Sequence, residues 1–548
     1  MRLVTPAEMR LIERRAESEF GLASVLLMEN AGARAAEVAL RLLGGEPGKV
    51  VVVAGKGANG GDGFVLARHL VGRGRRVEVF LCGRAADLRG EAAANFAILE
   101  RCAGERLSVC ELGEETGLGA LPGALREAGL VVDALFGTGL HGRVTGFPLR
   151  VIEAVNAAGR PVLALDVPSG VDAATGQLLA GGLKPGEAGG AVRATATVTF
   201  GLPKLGLFLY PGAAWAGEVV AAHLGLPPSL LAEEAGPTVH LITPERVRAA
   251  LPARPVVAHK GSFGHVLIVG GSPGLTGAVA LAGEAALRGG AGKVTVAIPR
   301  SLNPILEVKL TEAMSLPLPE TAGQTIAAEA AGALAGWAGR CTAVGLGVGM
   351  GTSQEAGEFL RQFLTGLALP VVLDADALRL LAARPELFRA LLADRPAPAV
   401  LTPHPGEMAA LMGETVDAVE RSRVEAARAV ARSWGVILAL KGAHTVVAAP
   451  GGEVFVNPTG NPGLATGGTG DVLTGLVTAL LAQGVPPAEA AVAGVYLHGL
   501  AGDLAAEAGP VGVVAGEVAR CLPRAHLKVL RPEKDAVASP GSERDSVR

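Results

Sequence analysis

The chain has 548 residues, of which 49% are hydrophobic and 18% charged, which predicts two or more core-rich globular domains. Proteins that bind nucleic acids usually carry a basic stripe and aromatic rings that stack on bases. A net charge of −3 and an aromatic content of 3% therefore argue against a nucleic-acid partner. Residues 1–21 lack the apolar stretch of a signal peptide, and the apolar segment 472–481 is much shorter than the ~20 residues of a membrane span. The five cysteines form no CxxC pair. We therefore expect a cytoplasmic protein with reduced thiols and no membrane partner.

The first part of the chain opens with a helix and then alternates apolar runs with helix-like segments. Thr5 and Glu8 predict the helix start, because they form a capping-box pair around a proline at the first helical position. Apolar runs predict buried parallel strands at residues 50–54, 77–81, 130–134, 162–165 and 195–200. Helix-like segments lie between the early strands, at 64–71 and 88–102. The alternation predicts a doubly wound, Rossmann-like three-layer α/β sandwich over residues 1–225.

The pattern restarts after residues 226–242, whose Pro, Gly and Glu content is typical of a linker. Apolar runs predict further strands at 265–269, 294–298, 343–346, 371–374, 399–402 and 436–440. An Ala-rich helix is predicted at 277–288. This indicates a second doubly wound α/β domain over residues 243–530, followed by a polar, disordered tail at 531–548.

A Gly-rich loop, residues 55–63, follows the first strand of the first domain and contains the GxGxxG pattern of a phosphate-binding turn. The pattern by itself also fits a turn with no ligand. The acid that a dinucleotide site needs after the second strand is misplaced, because Glu78 lies inside that strand. Asp133 and Asp166 each end a later strand and lead into a flexible loop, where sheets of this kind bind ligands.

Oxygen donors of Asn59, Asp133 and Ser169 are expected at the same edge of the sheet, where they could hold a hard monovalent cation. The alternatives are that Asp133 caps the next segment and that Ser169 is a turn residue.

The second domain contains the Gly-rich loop 461–471 directly before the predicted helix 472–481. A loop of this kind presents free backbone N–H groups and the positive end of a helix dipole, which suits a phosphate. Asp471 would then stand beside any hydroxyl that meets the phosphate. Its alternative role is that of a helix cap.

Three ordered motifs, at 59–63, 133–139 and 165–170, resemble the NAD(P)H-hydrate epimerase family over about residues 1–225. The resemblance implies interconversion of the R and S epimers of hydrated NADH and NADPH (NADHX and NADPHX), with K⁺ bound by Asn59, Asp133 and Ser169. Ala58 departs from the family, which commonly has a second Asn there. The substrate-binding positions that it implies are Ala58, Asn59, Gly60, Gly61, Asp62, Gly137, Thr138, Gly139, Leu140, His141, Gly142, Arg143 and Asp166.

Inversion of the hydrated carbon requires its C–O bond to break and re-form, with help from the ring nitrogen lone pair and from a proton donor. Asp166 is the first candidate for the acid–base group. Lys204 is the second, and its alternative role is that of a solvated loop lysine.

Four ordered motifs, at 259–272, 402–407, 441–445 and 461–471, resemble the ADP/ATP-dependent NAD(P)H-hydrate dehydratases of the ribokinase-like superfamily. The resemblance implies a ribokinase-like three-layer sandwich. The substrate-binding positions implied are Ala278, Gly347, His404 and Asp471. The alternative role of His404 is that of a loop histidine bonded to backbone. The nucleotide-binding positions implied are Lys441, Gly442, Ala443, His444, Thr445 and Gly470.

The implied reaction uses ADP, with ATP as the alternative donor and with Mg²⁺ accompanying the nucleotide. Asp471 acts as general base while the substrate hydroxyl attacks the terminal phosphoryl group, and elimination of phosphate restores the ring double bond. No GxxxxGK[ST] motif occurs, so a P-loop ATPase is excluded. A dehydratase specific for one epimer would leave the other behind, which explains why an epimerase is attached. We also expect a homo-oligomer.

Three alternatives remain open at the level of sequence. The second domain could belong to a small-molecule kinase of the ribokinase type, which would release a phosphorylated product. The first domain could be a ligand-binding or oligomerising module that regulates the second. An ordinary NAD-dependent dehydrogenase rests on the GxGxxG pattern alone.

Overall fold

The computed structural model describes residues 1–45, 48–102, 104–114, 117–140, 142–179, 190–232 and 238–531. The chain divides into two compact units, one over Arg2–Val239 and one that begins at His240. The predicted linker 226–242 contains a short helix and a short strand, while residues 233–237 lie outside the described part. The predicted tail also lies outside it, apart from Arg531. Among the described helices, none is both long enough and apolar enough to cross a lipid bilayer.

The first unit alternates strands and helices along the chain. Its strands are β1 (Arg2–Leu3), β2 (Lys49–Ala54), β3 (Val77–Cys82), β4 (Leu107–Leu112), β5 (Ala128–Ala134), β6 (Val162–Leu165), β7 (Ala196–Phe200) and β8 (Glu218–Ala222). Its α-helices are α1 (Pro6–Phe20), α2 (Ser24–Leu43), α3 (Ala58–Gly72), α4 (Gly90–Arg101), α5 (Leu121–Glu127), α6 (Gly146–Ala157), α7 (Ala213–Ala216) and α8 (Pro228–Ala232). Short 3₁₀ turns occupy Ala85–Asp87 and Leu205–Leu207.

A seven-stranded sheet with the order β4-β3-β2-β5-β6-β7-β8 forms the centre of the first unit, and all its pairs are parallel. Alternate residues of β2 face opposite cores: Val50 and Val52 pack with α1 to α4, whereas Val51 and Val53 pack with α5 and α6. Helices therefore cover both faces of a parallel sheet. The predicted Rossmann-like three-layer fold is confirmed.

The capping box at the start of α1 is confirmed as well. The Thr5 hydroxyl accepts from the Glu8 N–H at 3.3 Å, and the Glu8 carboxylate accepts from the Thr5 N–H at 2.7 Å. Two edge strands and one helix differ from the prediction. The edge strands β4 and β8 were not predicted. They are partly exposed, so their sequences lack the continuous apolar run of a central strand. Helix α3 begins at Ala58, six residues before the predicted segment, so it includes residues that the sequence placed in the Gly-rich loop.

The second unit has a larger sheet and more helices. Strands from the boundary onward are β9 (Val239–Leu241), β10 (His265–Val269), β11 (Lys293–Pro299), β12 (Met314–Leu318), β13 (Ala343–Leu346), β14 (Val371–Leu373), β15 (Val400–Leu401), β16 (Ile437–Leu440), β17 (Val446–Ala448) and β18 (Val454–Val456). The α-helices are α9 (Pro244–Ala250), α10 (Thr276–Arg288), α11 (Asn303–Lys309), α12 (Ala330–Ala338), α13 (Gln354–Gly366), α14 (Asp376–Ala383), α15 (Pro385–Ala393), α16 (Pro405–Met412), α17 (Val416–Arg421), α18 (Arg423–Trp434), α19 (Thr469–Ala482), α20 (Pro487–Ala505) and α21 (Ala515–Leu530). Short 3₁₀ turns occupy Lys260–Phe263, Arg300–Leu302 and Pro462–Leu464.

Strands of the second unit pair in the order β18-β17-β16-β15-β14-β13-β10-β11-β12. The sheet is parallel from β16 to β12, and β16, β17 and β18 pair antiparallel. Val266 and Ile268 of β10 pack with α10, α19, α20 and α21 on one face, while Leu267 and Val269 are buried on the other. The predicted doubly wound α/β class is confirmed. The strands β12, β17 and β18 were missed: β12 is a partly exposed edge strand, and β17 and β18 have three residues each.

Helix α19 packs against α10 through a glycine. A Cβ atom on Gly475 would lie 2.1 Å from the carbonyl oxygen of Ala282, a distance that real Cβ atoms do not reach. Gly332 in α12 is exposed, and a Cβ there would meet nothing within 4 Å.

We therefore expect Gly475→Ala to lower the free energy of unfolding by about 2–3 kcal/mol, because the two helices must separate. Gly332→Ala should raise it by about 0.5–1 kcal/mol, because Ala restricts the unfolded chain. Urea unfolding followed by circular dichroism measures both. Equal midpoints for the two variants would contradict the close helix contact.

Candidate active sites

A cavity of about 890 Å³ opens in the first unit at the carboxyl ends of its central strands. Helices α1 and α2 also contribute to its wall. The predicted substrate-binding residues that line it are Ala58, Asn59, Asp62, Gly137, Thr138, Gly139, Leu140 and Asp166. Gly60, Gly61, Gly142 and Arg143 are not among its lining residues, and His141 lies outside the described residues.

The Gly-rich turn between β2 and α3 is tight because its glycines approach other backbone. A Cβ on Gly60 would lie 1.9 Å from the carbonyl oxygen of Gly55, and a Cβ on Gly55 would lie 2.0 Å from that of Leu135. Gly57 has free space around it and stands at the N-cap of α3, where no side chain bonds the first-turn N–H groups. No side chain caps these N–H groups at the cavity wall, so they can donate hydrogen bonds to an anionic group of a ligand.

Asp133, Ser169 and Asn59 meet at the loop after β5. The Asp133 carboxylate is buried and accepts from the Ser169 hydroxyl at 2.6 Å and from the Ser169 N–H at 2.8 Å. The Leu135 N–H also donates to it, at 3.2 Å. Burial raises the pKa of Asp133 to about 6, and the bonds from Ser169 and Leu135 oppose that rise.

Asn59 lies against the same loop, because a Cβ on Gly137 would be 3.2 Å from the Asn59 Cγ. Asn59 is buried, yet neither its side-chain oxygen nor its side-chain nitrogen has a hydrogen-bond partner. A buried polar group without a partner costs free energy, so an unpaired amide beside two other oxygen donors indicates a place for a bound group.

Asp166 forms a buried ion pair with Lys204 at 2.5 Å. The Lys204 ammonium also donates to the carbonyl oxygen of Phe200, at 2.6 Å. Lys204 is 1% exposed, so its alternative role as a solvated loop lysine is wrong. Asp166 has a φ of +64°, an uncommon backbone conformation for a residue with a side chain, which is typical of functional sites.

Two further carboxyl groups face this pair from other elements. Burial, with repulsion from Asp166 and Glu13, raises the pKa of Asp62 well above its usual value, while Lys204 opposes the rise. Burial also raises the pKa of Glu13, on α1. Sequence reasoning missed Glu13, because nothing in its local pattern separates it from an ordinary polar residue of an amphipathic helix.

Asp471 of the second unit stands in the first turn of α19, whose N-cap is Gly468. No side chain caps the helix, so the alternative role of Asp471 as a cap is not observed. Burial raises the pKa of Asp471 to about 7; repulsion from Asp374 and Asp376 adds to the rise, and Lys441 opposes it.

Lys441 pairs with Asp374, a buried acid directly after β14, at 2.7 Å. A Cβ on Gly470 would lie 3.4 Å from the Lys441 Nζ, so the ammonium is beside the first turn of α19. The structure therefore brings together three of the predicted positions: Lys441, Gly470 and Asp471. Asp374 was missed as a site residue, although an acid at the end of a buried strand was the signal that identified Asp133.

The loop that follows Lys441 is held by a buried arginine. The Arg423 guanidinium donates to the carbonyl oxygens of Leu440 and Lys441, both at 3.0 Å. It also lies against Gly442, where a Cβ would be 2.8 Å from it, and Gly442 has a φ of +142°. The Thr445 hydroxyl donates to the Gly442 carbonyl oxygen at 3.2 Å. Arg423 lies outside the motifs, and its role depends on tertiary contacts.

His404 begins α16 and bonds to backbone, as its alternative role requires. Its Nδ1 accepts from the N–H groups of Gly406 at 3.0 Å and Glu407 at 3.2 Å, and its Nε2 lies 3.4 Å from the Glu407 carboxylate. Gly347 approaches Asp374, since a Cβ there would lie 2.2 Å from the Asp374 carbonyl oxygen. Ala278 lies beside Gly349, two residues after Gly347, since a Cβ on Gly349 would lie 3.2 Å from the Ala278 Cβ.

Comparison with known proteins gives two family matches. A family described as NAD(P)H-hydrate dehydratase matches residues 266–524, and one described as YjeF-related protein N-terminus matches residues 24–206. The chain is 44% identical to a bifunctional NAD(P)H-hydrate repair enzyme of Moorella thermoacetica, with 100% of both chains covered. It is 39% identical to the enzyme of that name from Thermofilum pendens, with 98% of each covered.

The chain belongs to the bifunctional NAD(P)H-hydrate repair enzymes. It is also similar to a crystal structure of the ADP/ATP-dependent NAD(P)H-hydrate dehydratase from Bacillus subtilis, co-crystallised with ATP and Mg²⁺. That similarity is 32% identity over 53% of this chain and 99% of the other, with a TM-score of 0.45. The full-length relatives contain both halves, so they do not favour a lone small-molecule kinase.

The raised pKa of Asp471 has a measurable consequence for stability. Between about pH 4 and pH 7 the native carboxyl group holds a proton that the unfolded chain releases, so this group lowers stability as the pH rises through that window. We therefore expect Asp471→Asn to raise the free energy of unfolding at pH 8, and the gain to shrink toward pH 5.

Urea unfolding at the two pH values measures this difference. Asp417→Asn is the control, because Asp417 is an exposed acid on α17 that pairs with Arg421. A loss of stability in Asp471→Asn at pH 8 would contradict the prediction, because it would mean that the ionised carboxylate stabilises the helix end.

Proposed function

We propose that the chain repairs hydrated NADH and NADPH: the first unit interconverts the R and S epimers, and the second dehydrates the S epimer with ADP. The observation that carries the proposal is the placement of Asp471 in the uncapped first turn of α19, beside the Lys441 ammonium. This arrangement offers a base for a hydroxyl group and a positive environment for a phosphoryl group at one point.

In the dehydratase the substrate hydroxyl attacks the terminal phosphorus of ADP, and its proton passes to Asp471. The P–O bond to AMP breaks, and AMP leaves with that electron pair. The first-turn N–H groups of α19 and the Lys441 ammonium stabilise the charge that develops on the phosphoryl oxygens. Phosphate is a far better leaving group than hydroxide. Its departure, with loss of a ring proton, restores the double bond of the reduced nicotinamide.

In the epimerase the C–O bond of the hydrated carbon breaks as the ring nitrogen supplies its lone pair. A proton must reach the departing oxygen, and a water must return to the opposite face of the ring. The acids that line the cavity, Asp166 and Asp62, supply and remove this proton. The buried Lys204 ammonium holds Asp166 in place through their 2.5 Å ion pair.

K⁺ fits the cluster of Asn59, Asp133 and Ser169. The unpartnered side-chain oxygen of Asn59 and the carboxylate and hydroxyl oxygens beside it are hard ligands. A bound K⁺ would supply a fixed positive charge for an anionic group of the substrate at the uncapped start of α3.

We propose ADP as the phosphoryl donor, with ATP as the alternative. Mg²⁺ would enter with the nucleotide, since the described residues include no group of three His, Cys, Asp or Glu side chains arranged to hold a metal ion.

We further propose a cytoplasmic homo-oligomer without nucleic-acid or membrane partners. The five unpaired cysteines favour a reducing compartment, and exposed apolar residues of α1 and α2, such as Phe20 and Leu26, offer a surface for association.

The central test uses mixed epimers of hydrated NADH with ADP and follows recovery of the reduced-nicotinamide absorbance. We expect the full chain to recover both epimers and to release AMP and phosphate. Asp471→Asn should lose dehydration by about 100-fold or more, because the general base is removed, yet still interconvert the epimers. Asp166→Asn should recover the S epimer and leave the R epimer to slow spontaneous exchange.

Asp417→Asn is the control for both variants and should behave like the full chain. Recovery of the S epimer alone by the unmodified chain would reduce the first unit to a binding module. A phosphorylated product without absorbance recovery would contradict the dehydratase and favour a small-molecule kinase.

The K⁺ site can be tested without catalysis. We expect K⁺ to raise the melting temperature of the protein more than the smaller Li⁺ does, because three oxygen donors at the loop after β5 gain a partner. Asn59→Ala should lose this difference. Asn156→Ala is the control, because Asn156 is an asparagine of α6 whose amide bonds the backbone of Ala191 and Arg193.

An identical response to K⁺ and Li⁺ in the unmodified protein would contradict the site. So would a K⁺ response in Asn59→Ala as large as that in Asn156→Ala.

A further inference from the structure

Asp374 follows β14 directly and is 1% exposed. A carboxylate that is buried to this degree is costly unless each oxygen has a partner. One oxygen of Asp374 accepts from the Lys441 ammonium at 2.7 Å, and the other accepts from the Thr474 hydroxyl at 2.7 Å. A single carboxylate thus joins the residue after β16 to helix α19.

Thr474 lies on α19 three residues after Asp471, so these two residues are neighbours on the same side of the helix. The first turn of that helix is close to Asp374 as well, since a Cβ on Gly470 would lie 3.6 Å from the Asp374 oxygen that Thr474 contacts. The same Cβ would lie 3.4 Å from the Lys441 Nζ. The ammonium, the carboxylate and the start of the helix therefore form one packed group.

The backbone of Lys441 is fixed independently. Its N–H donates to the Pro403 carbonyl oxygen at 2.8 Å, and its own carbonyl oxygen accepts from Arg423 at 3.0 Å. The long side chain between backbone and ammonium has many rotamers, and the bond to Asp374 selects the one that places the ammonium beside Gly470.

We propose that Asp374 is a positioning residue for phosphoryl transfer: it holds the Lys441 ammonium and the first turn of α19 in one geometry, so that both meet the transferred phosphoryl group. The proposal rests on the dehydratase function proposed for the second unit. Misplacement of such a charge by about 1 Å is enough to cost on the order of 100-fold in rate.

The charges that face Asp471 make a second readout available. Asp374 and Asp376 raise the pKa of Asp471, and Lys441 lowers it. His498 on α20 also faces this turn, bonded to the Thr469 carbonyl oxygen at 2.9 Å, and burial lowers its pKa to about 4, so it is neutral near pH 7. Replacing Asp374 by Asn removes a charge that raises the pKa of Asp471, so the rising limb of the kcat profile should move to lower pH.

The experiment compares Asp374→Asn and Thr474→Val with Thr478→Val, in the full chain with hydrated NADH and ADP. Thr478 is buried on the same helix, but its hydroxyl donates to the Thr474 carbonyl oxygen within the helix and does not reach Asp374. We expect kcat to fall about 100-fold in Asp374→Asn and about tenfold in Thr474→Val, because the ammonium or the helix turn is misplaced. Thr478→Val should keep kcat within about threefold, because only a helix-internal hydrogen bond is lost.

A double-mutant cycle with Lys441→Met completes the test. If Asp374 acts through Lys441, the double variant should be little slower than Lys441→Met alone. Binding of ADP, measured by isothermal titration, should weaken by less than kcat falls, since the geometry matters most during transfer.

An unchanged kcat and pH profile in Asp374→Asn would overturn the inference, and so would fully additive losses in the cycle. Equal losses in Thr474→Val and Thr478→Val would assign the effect to helix packing and also overturn it. Absence of ADP-dependent dehydration in the unmodified chain is a different result, because it removes the proposed function itself. If Asp374→Asn does not fold, Thr474→Val still tests the positioning role of Asp374. Val has nearly the shape of Thr, so this variant should fold.

Discussion

Parallel strands deliver acidic side chains to one edge of a sheet, where burial disfavours their charge unless a partner is supplied. Asp133 lies at the end of β5, Asp166 and Asp374 directly follow β6 and β14, and all three are buried. Each has a different partner: the Ser169 hydroxyl and N–H for Asp133, the Lys204 ammonium for Asp166, and Lys441 with a threonine for Asp374. Because an unpartnered carboxylate there would be neutralised or would destabilise the fold, these partners decide what chemistry each strand end can perform.

Glycines determine how closely ligands and helices can approach these acids. Gly55 and Gly60 let the turn after β2 fold so tightly that α3 begins almost at once, and its first N–H groups remain uncapped. In the second unit, Gly468, with a φ of +95°, begins α19 without a capping side chain, and Gly475 lets the same helix lie against α10. The two sites therefore share a feature that composition alone does not give: a helix start whose N–H groups are left free beside buried acids.

Much of this was predictable from sequence, because the central strands are continuous apolar runs and the Gly-rich loops follow them directly. Strand β6 and strand β10 were predicted to the residue. Elements whose identity depends on neighbours were not. The edge strands β4 and β8 are half exposed, and α3 starts within a glycine run that local propensity assigns to a loop.

The same limit applies to the sites. Asp471 could be proposed from the Gly-rich loop before its helix, and Lys441 from the resemblance of its motif to a known family. Glu13 could not, because it comes from a helix whose approach to the cavity is set only by tertiary packing. Arg423 is similar: its function is to bond two carbonyl oxygens of another segment, and no local pattern encodes that contact.

The two sites have the same electrostatic arrangement, although their sheets differ in strand order. Each contains one acid paired with a buried or half-buried lysine, and one nearby acid whose pKa is raised by burial and by repulsion from other acids. In the first unit these are Asp166 and Asp62; in the second they are Asp374 and Asp471. The paired acid bonds an ammonium group, and the raised pKa of the other acid favours its protonated form, so the two acids of each site differ in their environment. Both proposed reactions act on the same hydroxyl, which must gain a proton to leave as water or lose one to attack phosphorus, so each proposed site needs an acid that exchanges a proton beside a fixed positive charge.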